Sequence, residues 1–296
     1  MIKASKSERV FYFCNTLFMI FMIAITLYPM LYVIFCSFSE PMELAKSDSL
    51  LFWPAGFSTA GYEFVLKYRD IYTGYANTLF YVIVGTAVNM LLTILGAYAL
   101  SRKDMMLKTP ITVLITFTMF FSGGLIPSFL VVQKLGMYNS VWAIILPSAI
   151  STWNLLVLKT SFGEVPDSLL ESARMDGANE FVILFRIVVP VSMAAIAAIT
   201  LFYAVGRWNE WFSALMYLKD RSKYPLQMFL REMLVIPQGN NTQFAAEAVM
   251  VGENSAQLKE VVKYCTIVVS TVPILCFYPF LQKYFVKGVM IGSMKG

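Results

Sequence analysis

Residues Val10–Ser39 read VFYFCNTLFMIFMIAITLYPMLYVIFCSFS, 30 consecutive positions without Asp, Glu, Lys or Arg. About 20 apolar helical residues cross the ~30 Å hydrocarbon core of a bilayer. Five more charge-free windows follow, Ile71–Ser101, Thr109–Gln133, Leu135–Leu158, Ile187–Gly206 and Tyr264–Gln282, of 31, 25, 24, 20 and 19 residues. Charges stand at their edges, Arg186 and Arg207 around the fifth and Lys263 and Lys283 around the sixth. That is the placement expected when a charge at the bilayer centre costs about 3 kcal/mol or more. Six core helices of a large soluble protein fit poorly, because such helices seldom reach these lengths without a charged face.

The composition agrees. Of 296 residues, 58% are hydrophobic and 14% charged, and mean hydropathy is +0.66. Soluble domains carry about a quarter charged residues. Lys3, Lys6 and Arg9 ahead of the first window look like a secretory leader. The apolar run is longer than a leader's ~7–15 residues, however, and no small-residue cleavage site follows it, so a retained helix is expected. Basic residues set the orientation. They crowd the tail before Val10, the turn Arg102, Lys103 and Lys108, the segment Lys159, Arg174 and Arg186, and the end Lys283, Lys287 and Lys295. These share one side, which places both termini in the cytoplasm.

The expectation is an all-α membrane protein of six transmembrane helices, spans near 10–38, 77–101, 110–133, 139–158, 187–207 and 264–283. A cytoplasmic tail, 1–9, precedes a single domain, 10–296, and a cytoplasmic loop, 159–186, joins the fourth and fifth helices.

The chain has no histidine and no Gly-rich loop ending in Lys-Ser or Lys-Thr. Histidine-based catalysis, histidine metal sites and that mode of ATP binding are excluded. No catalytic constellation, metal site or cofactor is expected, and no nucleic-acid partner. Cys14, Cys36, Cys265 and Cys276 lie in apolar stretches and read as packing residues. A Cys36–Cys265 disulfide stays open, since sequence does not show proximity. Ion-coupled carriers usually hold a charged relay within the bilayer. The windows hold only neutral polar groups, among them Asn77, Asn89, Gln133, Asn139 and Asn154. These read either as interhelical glue or as a path for a polar, uncharged solute driven by outside energy. Trp153, Asn154, Trp208, Asn209 and Trp211 are the candidate path residues, against the alternative of interface anchoring. Gly123, Gly124 and Pro127 are expected to kink the third helix, as a gate or for close packing.

The segment 159–186 is too short for a domain and too patterned for a linker. Pro166-Asp167-Ser168 opens a helix, with Ser168 and Glu171 as a capping box and Leu169, Leu170 and Ala173 as its apolar stripe. Gly177 ends it and Asn179 caps the next helix. Its carboxylates, Glu164, Asp167, Glu171, Asp176 and Glu180, argue against an anionic lipid surface and for a protein partner.

Glu171-Ser172-Ala173, three residues, Gly177, nine residues, then Ile187-Val188-Val189-Pro190 resembles the Glu-Ala-Ala loop of importer permeases of the ATP-binding-cassette class. Ser172 stands where Ala is usual, Val189 where Leu is usual and Ala194 where a second Pro is common. Ala97-Tyr98-Ala99-Leu100-Ser101-Arg102, Trp208-Asn209-Glu210-Trp211-Phe212 and Phe121-Ser122-Gly123-Gly124-Leu125-Ile126-Pro127 are similar to the carbohydrate branch, permeases like the second maltose-transporter subunit. With Lys287-Gly288 they point to its oligosaccharide and polysaccharide subgroup. The resemblance implies a bacterial cytoplasmic membrane, a second permease, two ATPase subunits, an external solute-binding protein and a sugar substrate. It implies that Glu171, Ser172, Ala173, Asp176, Gly177 and Pro190 couple to the ATPase, which alone would hydrolyse ATP. The long outer loops, with Trp53-Pro54 and Phe57 in one and Gln238–Thr242, then an Ala-rich run, in the other, would meet the binding protein. A permease for amino acids or peptides, a secondary transporter or channel, and a membrane enzyme are the weaker alternatives.

Overall fold

The computed structural model describes residues 6–47, 50–235 and 255–293. Among them the regular elements are helices, and the β-type pairing is one isolated bridge between Ser39 and Phe57. The helices are α1 (Lys6–Ser37), α2 (Pro41–Lys46), α3 (Ala60–Lys67), α4 (Arg69–Ser101), α5 (Lys108–Phe117), α6 (Leu125–Lys134), α7 (Trp142–Ile145), α8 (Thr152–Gly163), α9 (Asp167–Met175) and α10 (Glu180–Ile183). A π-helical turn, Leu184–Val188, leads to α11 (Val189–Val191), α12 (Met193–Trp208), α13 (Phe212–Tyr217), a 3₁₀ turn Arg221–Lys223, α14 (Leu226–Val235) and α15 (Ser255–Ser293).

Among the described residues two helices are long and apolar enough to cross a membrane, Ser7–Ser37 and Arg69–Ser101. The pair Glu180–Val191 and Met193–Trp208 adds a third if it is taken as one bent element. Its 86° bend has a local cause. Pro190 brings no N–H to the carbonyl of Arg186, the preceding turn has widened to π-helix, and Ser192 leaves the helical region at φ −96°, ψ 18°. The expected helix over 187–207 is therefore two pieces.

Two further expected helices are interrupted. The third breaks between Phe117 and Leu125 instead of kinking. Gly124 sits at φ 84°, ψ −178°, a conformation open essentially to glycine alone, and Pro127 falls in the first turn of α6, where no N–H is needed. The fourth stops after α7, because Pro147 cannot continue the ladder, and restarts when Ser151 Oγ accepts the Asn154 N–H. The second begins earlier than expected, at Arg69. Its first turns are held by Asn77, which donates to the carbonyls of Ser222 and Tyr224, and by Tyr81, which donates to that of Lys223.

By backbone contacts the chain divides into two units, Met1–Arg69 with Glu232–Val272, and Asp70–Arg231 with Pro273–Gly296. In the first, α3 packs on α15 through Gly61, where a Cβ would lie 2.6 Å from Cys265 Sγ. Cys265 Sγ donates to the Ser37 carbonyl at 3.2 Å, and the Tyr62 and Ser37 hydroxyls pair at 2.7 Å. Cys36 and Cys265 are both buried free thiols, so the disulfide left open by the sequence is not formed. Trp53 and Phe57 are exposed, Phe57 stacking on Phe38. The second unit holds an apolar core in which α4, α8, α9, α10, the π turn and α12 meet around Leu158, Phe162, Ile183 and Ile199.

Candidate functional site

The helix, Gly turn and helix over 167–183 lie against that core. α9 buries Leu170 and Ala173, and α10 buries Ile183. The turn is a Schellman ending. The Ala178 N–H reaches the Ala173 carbonyl, the Gly177 N–H reaches the Arg174 carbonyl, and Gly177 takes φ 81°. Asn179 caps α10 by accepting the Val182 N–H at 2.9 Å. The expected capping box does not form. The helix starts at Asp167, two residues early, with Pro166 as N-cap and no side-chain cap, so Ser168 sits within the first turn. Asp167 instead binds Lys103 Nζ at 2.5 Å. The hydrogen bond from Lys103, and then its charge, hold the Asp167 carboxyl below the usual carboxylate range.

Polar contacts tie this pair of helices to the segment that ends α4. Arg174 meets Glu180 at 3.0 Å and Asp104 at 3.8 Å, and Tyr98 donates to Glu180. Arg102 lies over the Tyr98 ring, 4.8 Å from its centre, and donates to the Phe162 carbonyl at 3.1 Å. Several polar groups at once thereby join α9 and α10 to the end of α4.

Of the residues expected to engage a partner, Glu171, Ser172, Asp176, Gly177 and Pro190 are exposed, while Ala173 is buried in the core. Leu169, expected within the apolar stripe, is 44% exposed. The same helix pair exposes apolar side chains that the sequence reading passed over, Met175 at 88% and Phe181 at 66%. Their signal was present, for both fall off the buried stripe of a short helix pair whose outer surface is otherwise charged.

A second polar construction joins α4, the α7–α8 connection and α12. Arg207 is 4% exposed. Its Nη1 donates to the Ile144 carbonyl at 2.8 Å and Ser148 Oγ at 2.9 Å; its Nη2 donates to Asn89 Oδ1 and the Ile145 carbonyl, both at 2.9 Å. Asn89 Nδ2 in turn donates to the Ser148 carbonyl. One helical turn earlier Tyr203 shares a 2.8 Å hydrogen bond with Thr93 and accepts the Ser151 N–H. The carbonyls freed where α7 stops are thus taken up by one guanidinium. Gly85 is required there, since a Cβ would lie 2.9 Å from Arg207 Nε. The sequence reading placed Arg207 at a window edge; the side chain runs inward instead, so this buried region carries a cation.

The five candidate path residues occupy separate settings. Trp208 is buried, its ring 6.4 Å from that of Tyr75. Asn154 is buried in α8, and Trp153 beside it is 62% exposed. Asn209 ends α12 and donates to the Val205 carbonyl. Trp211 lies beneath the Arg231 guanidinium, 5.0 Å from the ring centre. Gly123 and Gly124 stand in the α5–α6 break. The stretch Gln238–Thr242 and the Ala-rich run lie outside the described residues. No cluster of metal-ligating side chains occurs among the described residues.

No protein-family model matches the chain. It is 42% identical over 279 residues to the polygalacturonan/rhamnogalacturonan transport system permease protein YtcP of Bacillus subtilis, spanning 94% of this chain and 96% of that protein. It is 40% identical over 292 residues to protein LplC of the same organism, spanning 99% and 97%. The arabinooligosaccharides transport system permease protein AraQ of Halalkalibacterium halodurans is 26% identical over 280 residues, spanning 93% and 94%. Among solved structures, the chain superposes with TM-score 0.88 and 32% identity on a chain of a bacterial ABC transporter involved in the import of the acidic polysaccharide alginate, over 96% and 100% of the two chains.

Proposed function

The chain belongs to the permease subunits of ATP-binding-cassette transporters, and from that premise we propose that it passes a sugar or oligosaccharide across the bacterial cytoplasmic membrane by alternating access. A solute-binding protein delivers the saccharide from outside. Residues 10–296 act as one permease domain of six spans with both termini inside, beside a sister permease and two ATPase subunits. ATP is hydrolysed on those partners and not on this chain. Permeases of this kind move by rigid-body rocking about a site in the membrane.

The observation that carries the reading is the helix pair 167–183, docked on the core by one face and exposing Glu171, Met175, Asp176 and Phe181 on the other. Exposed apolar side chains on a segment rich in carboxylates suit a groove in a protein partner and not anionic lipid. Gly177 gives the sharp return that lets α9 sit in such a groove while α10 leads back to α12. The pair transmits ATPase closure to α4 through Lys103, Asp104 and Tyr98. Replacing Met175 and Phe181 together by Glu should release the ATPase subunits from the purified importer while the permease still inserts. ATPase subunits retained in full would refute it.

Two relatives support an acidic substrate class. YtcP is named for polygalacturonan and rhamnogalacturonan, polymers containing galacturonate, and the structural neighbour imports alginate. We take a uronate-containing saccharide as the substrate class in place of the uncharged solute that the neutral windows suggested. Amino acids and peptides are not favoured.

A further inference from the structure

We propose that Arg231 and Trp211 form a recognition site for the carboxylate of a uronate residue, an inference that rests on the acidic-saccharide reading above. The guanidinium carbon of Arg231, on α14, lies 5.0 Å from the centre of the Trp211 ring at the start of α13. Trp211 is 38% exposed, so the pair opens to the surface. Three other cations of this region are committed elsewhere, while Lys219 lies over the Tyr138 ring. Arg221 binds Asp70 at 2.7 Å, Lys223 donates to the Asn139 carbonyl at 2.7 Å, and Arg207 is buried among carbonyls. Arg231, among the described residues, makes no hydrogen bond and no ion pair, only the contact with the indole. Glu210, the carboxylate adjacent to Trp211, is turned to accept the Ser213 N–H.

The chemistry follows from that contact of guanidinium and indole. A guanidinium lying over an aromatic ring uses its face, and the N–H donors point outward in its plane. That fork matches a carboxylate with two parallel charge-assisted hydrogen bonds. The indole beside it offers an apolar surface to the C–H face of a pyranose ring. A uronate carries both features on one ring, the apolar face and the carboxylate at C5. A neutral hexose meets only the aromatic half. The pair therefore reads charge on the saccharide as it enters from the binding protein, just beyond the Trp208 end of α12.

The test uses the whole importer in proteoliposomes with its binding protein and ATPases. The probes are trigalacturonate and its methyl ester, which keeps the ring and removes the charge. Arg231→Gln should lower trigalacturonate uptake about tenfold, the scale of one lost charge-assisted contact, and leave the ester unchanged. Arg231→Lys should keep part of the acid uptake, and Trp211→Leu should lower both probes. Equal loss of acid and ester in Arg231→Gln would overturn the site, because a role in packing or in docking the binding protein does not distinguish the two. No loss for either probe overturns it too. A wild-type importer that carries the ester and not the acid, or neither, overturns the acidic-saccharide reading itself, and the site with it.

Discussion

Arg207→Met removes the guanidinium that closes the α4, α7–α8 and α12 junction and keeps most of its apolar stem. Two buried acceptors lose their donor, the Ile145 carbonyl and Asn89 Oδ1; the Ile144 carbonyl keeps its bond from Ser148 Oγ and the Ser148 carbonyl its bond from Asn89. Each orphaned buried acceptor costs about 1–3 kcal/mol, and hydrogen bonds from a charged donor lie toward the upper end. Against this, taking the guanidinium out of a buried place recovers part of its lost hydration. The balance is a destabilisation of about 3 kcal/mol, within the range for breaking a buried charged network. On the scaling for domains of this size that lowers the melting temperature by roughly 6–10 °C. Arg207→Lys keeps the charge but not the fork and should lose about half as much. Gly85→Ala offers an independent route, because its Cβ would lie 2.9 Å from Arg207 Nε. In a double-mutant cycle the Gly85→Ala penalty should shrink once Arg207 is Met, since the atom it strikes is gone. The measurements are thermal unfolding of the purified importer in nanodiscs and uptake in proteoliposomes. An Arg207→Met importer that melts with the wild type, or a cycle that is strictly additive, would show that the guanidinium does not close this junction.

Four further outcomes are expected. Gly177→Val should cost about 1–2 kcal/mol from left-handed strain alone, because its φ is 81° and nothing lies within 4 Å of the added Cβ; measured as ATP hydrolysis per saccharide imported, coupling should fall while insertion is kept. Gly124→Ala, at φ 84° and again in open space, should cost roughly 1–3 kcal/mol in thermal unfolding by straining the α5–α6 break. Gly61→Ala forces a Cβ to within 2.6 Å of Cys265 Sγ and should lose about 1–3 kcal/mol, partly restored by Cys265→Ala, as read by melting of the double variant. The Lys103–Asp167 pair holds the Asp167 pKa down, so its contribution is complete above the ordinary aspartate value near ~3.9 and fades only as pH falls through the lower folded value; coupling measured from pH 8 to pH 5 should show no step that Asp167→Asn removes.

Much of the long-helix architecture was legible because a bilayer punishes charge residue by residue, and α1 and α4 were written as uninterrupted neutral runs. The turn at Gly177 and the cap at Asn179 were legible for a different reason, since each depends on a single residue's local chemistry. The breaks were harder. Nothing in composition separates a kink at Gly124 from a full stop, because the difference lies in a φ of 84° that neighbouring segments impose. Pro147 stops α7, yet proline is tolerated within membrane helices when other groups satisfy the freed carbonyls. Here that group is Arg207, more than fifty residues later in the chain, and pairing at such separation leaves no local trace.

Arg207 also changes what charge counting meant. The windows are free of charge, but an arginine just past the end of one of them folds back, so the interior of the second unit is polar and positive around Asn89 and Ser148. What speaks against ion coupling is the lack of a proton relay and not of charge as such. An arginine side chain does not deprotonate in proteins. It holds a fixed charge and fixed donors and cannot pass a proton on. No aspartate, glutamate or histidine lies within the windows to do so. A permanently charged, carbonyl-bound guanidinium is a structural tie, in keeping with the proposal that the driving force enters from outside the bilayer through the helix pair at 167–183.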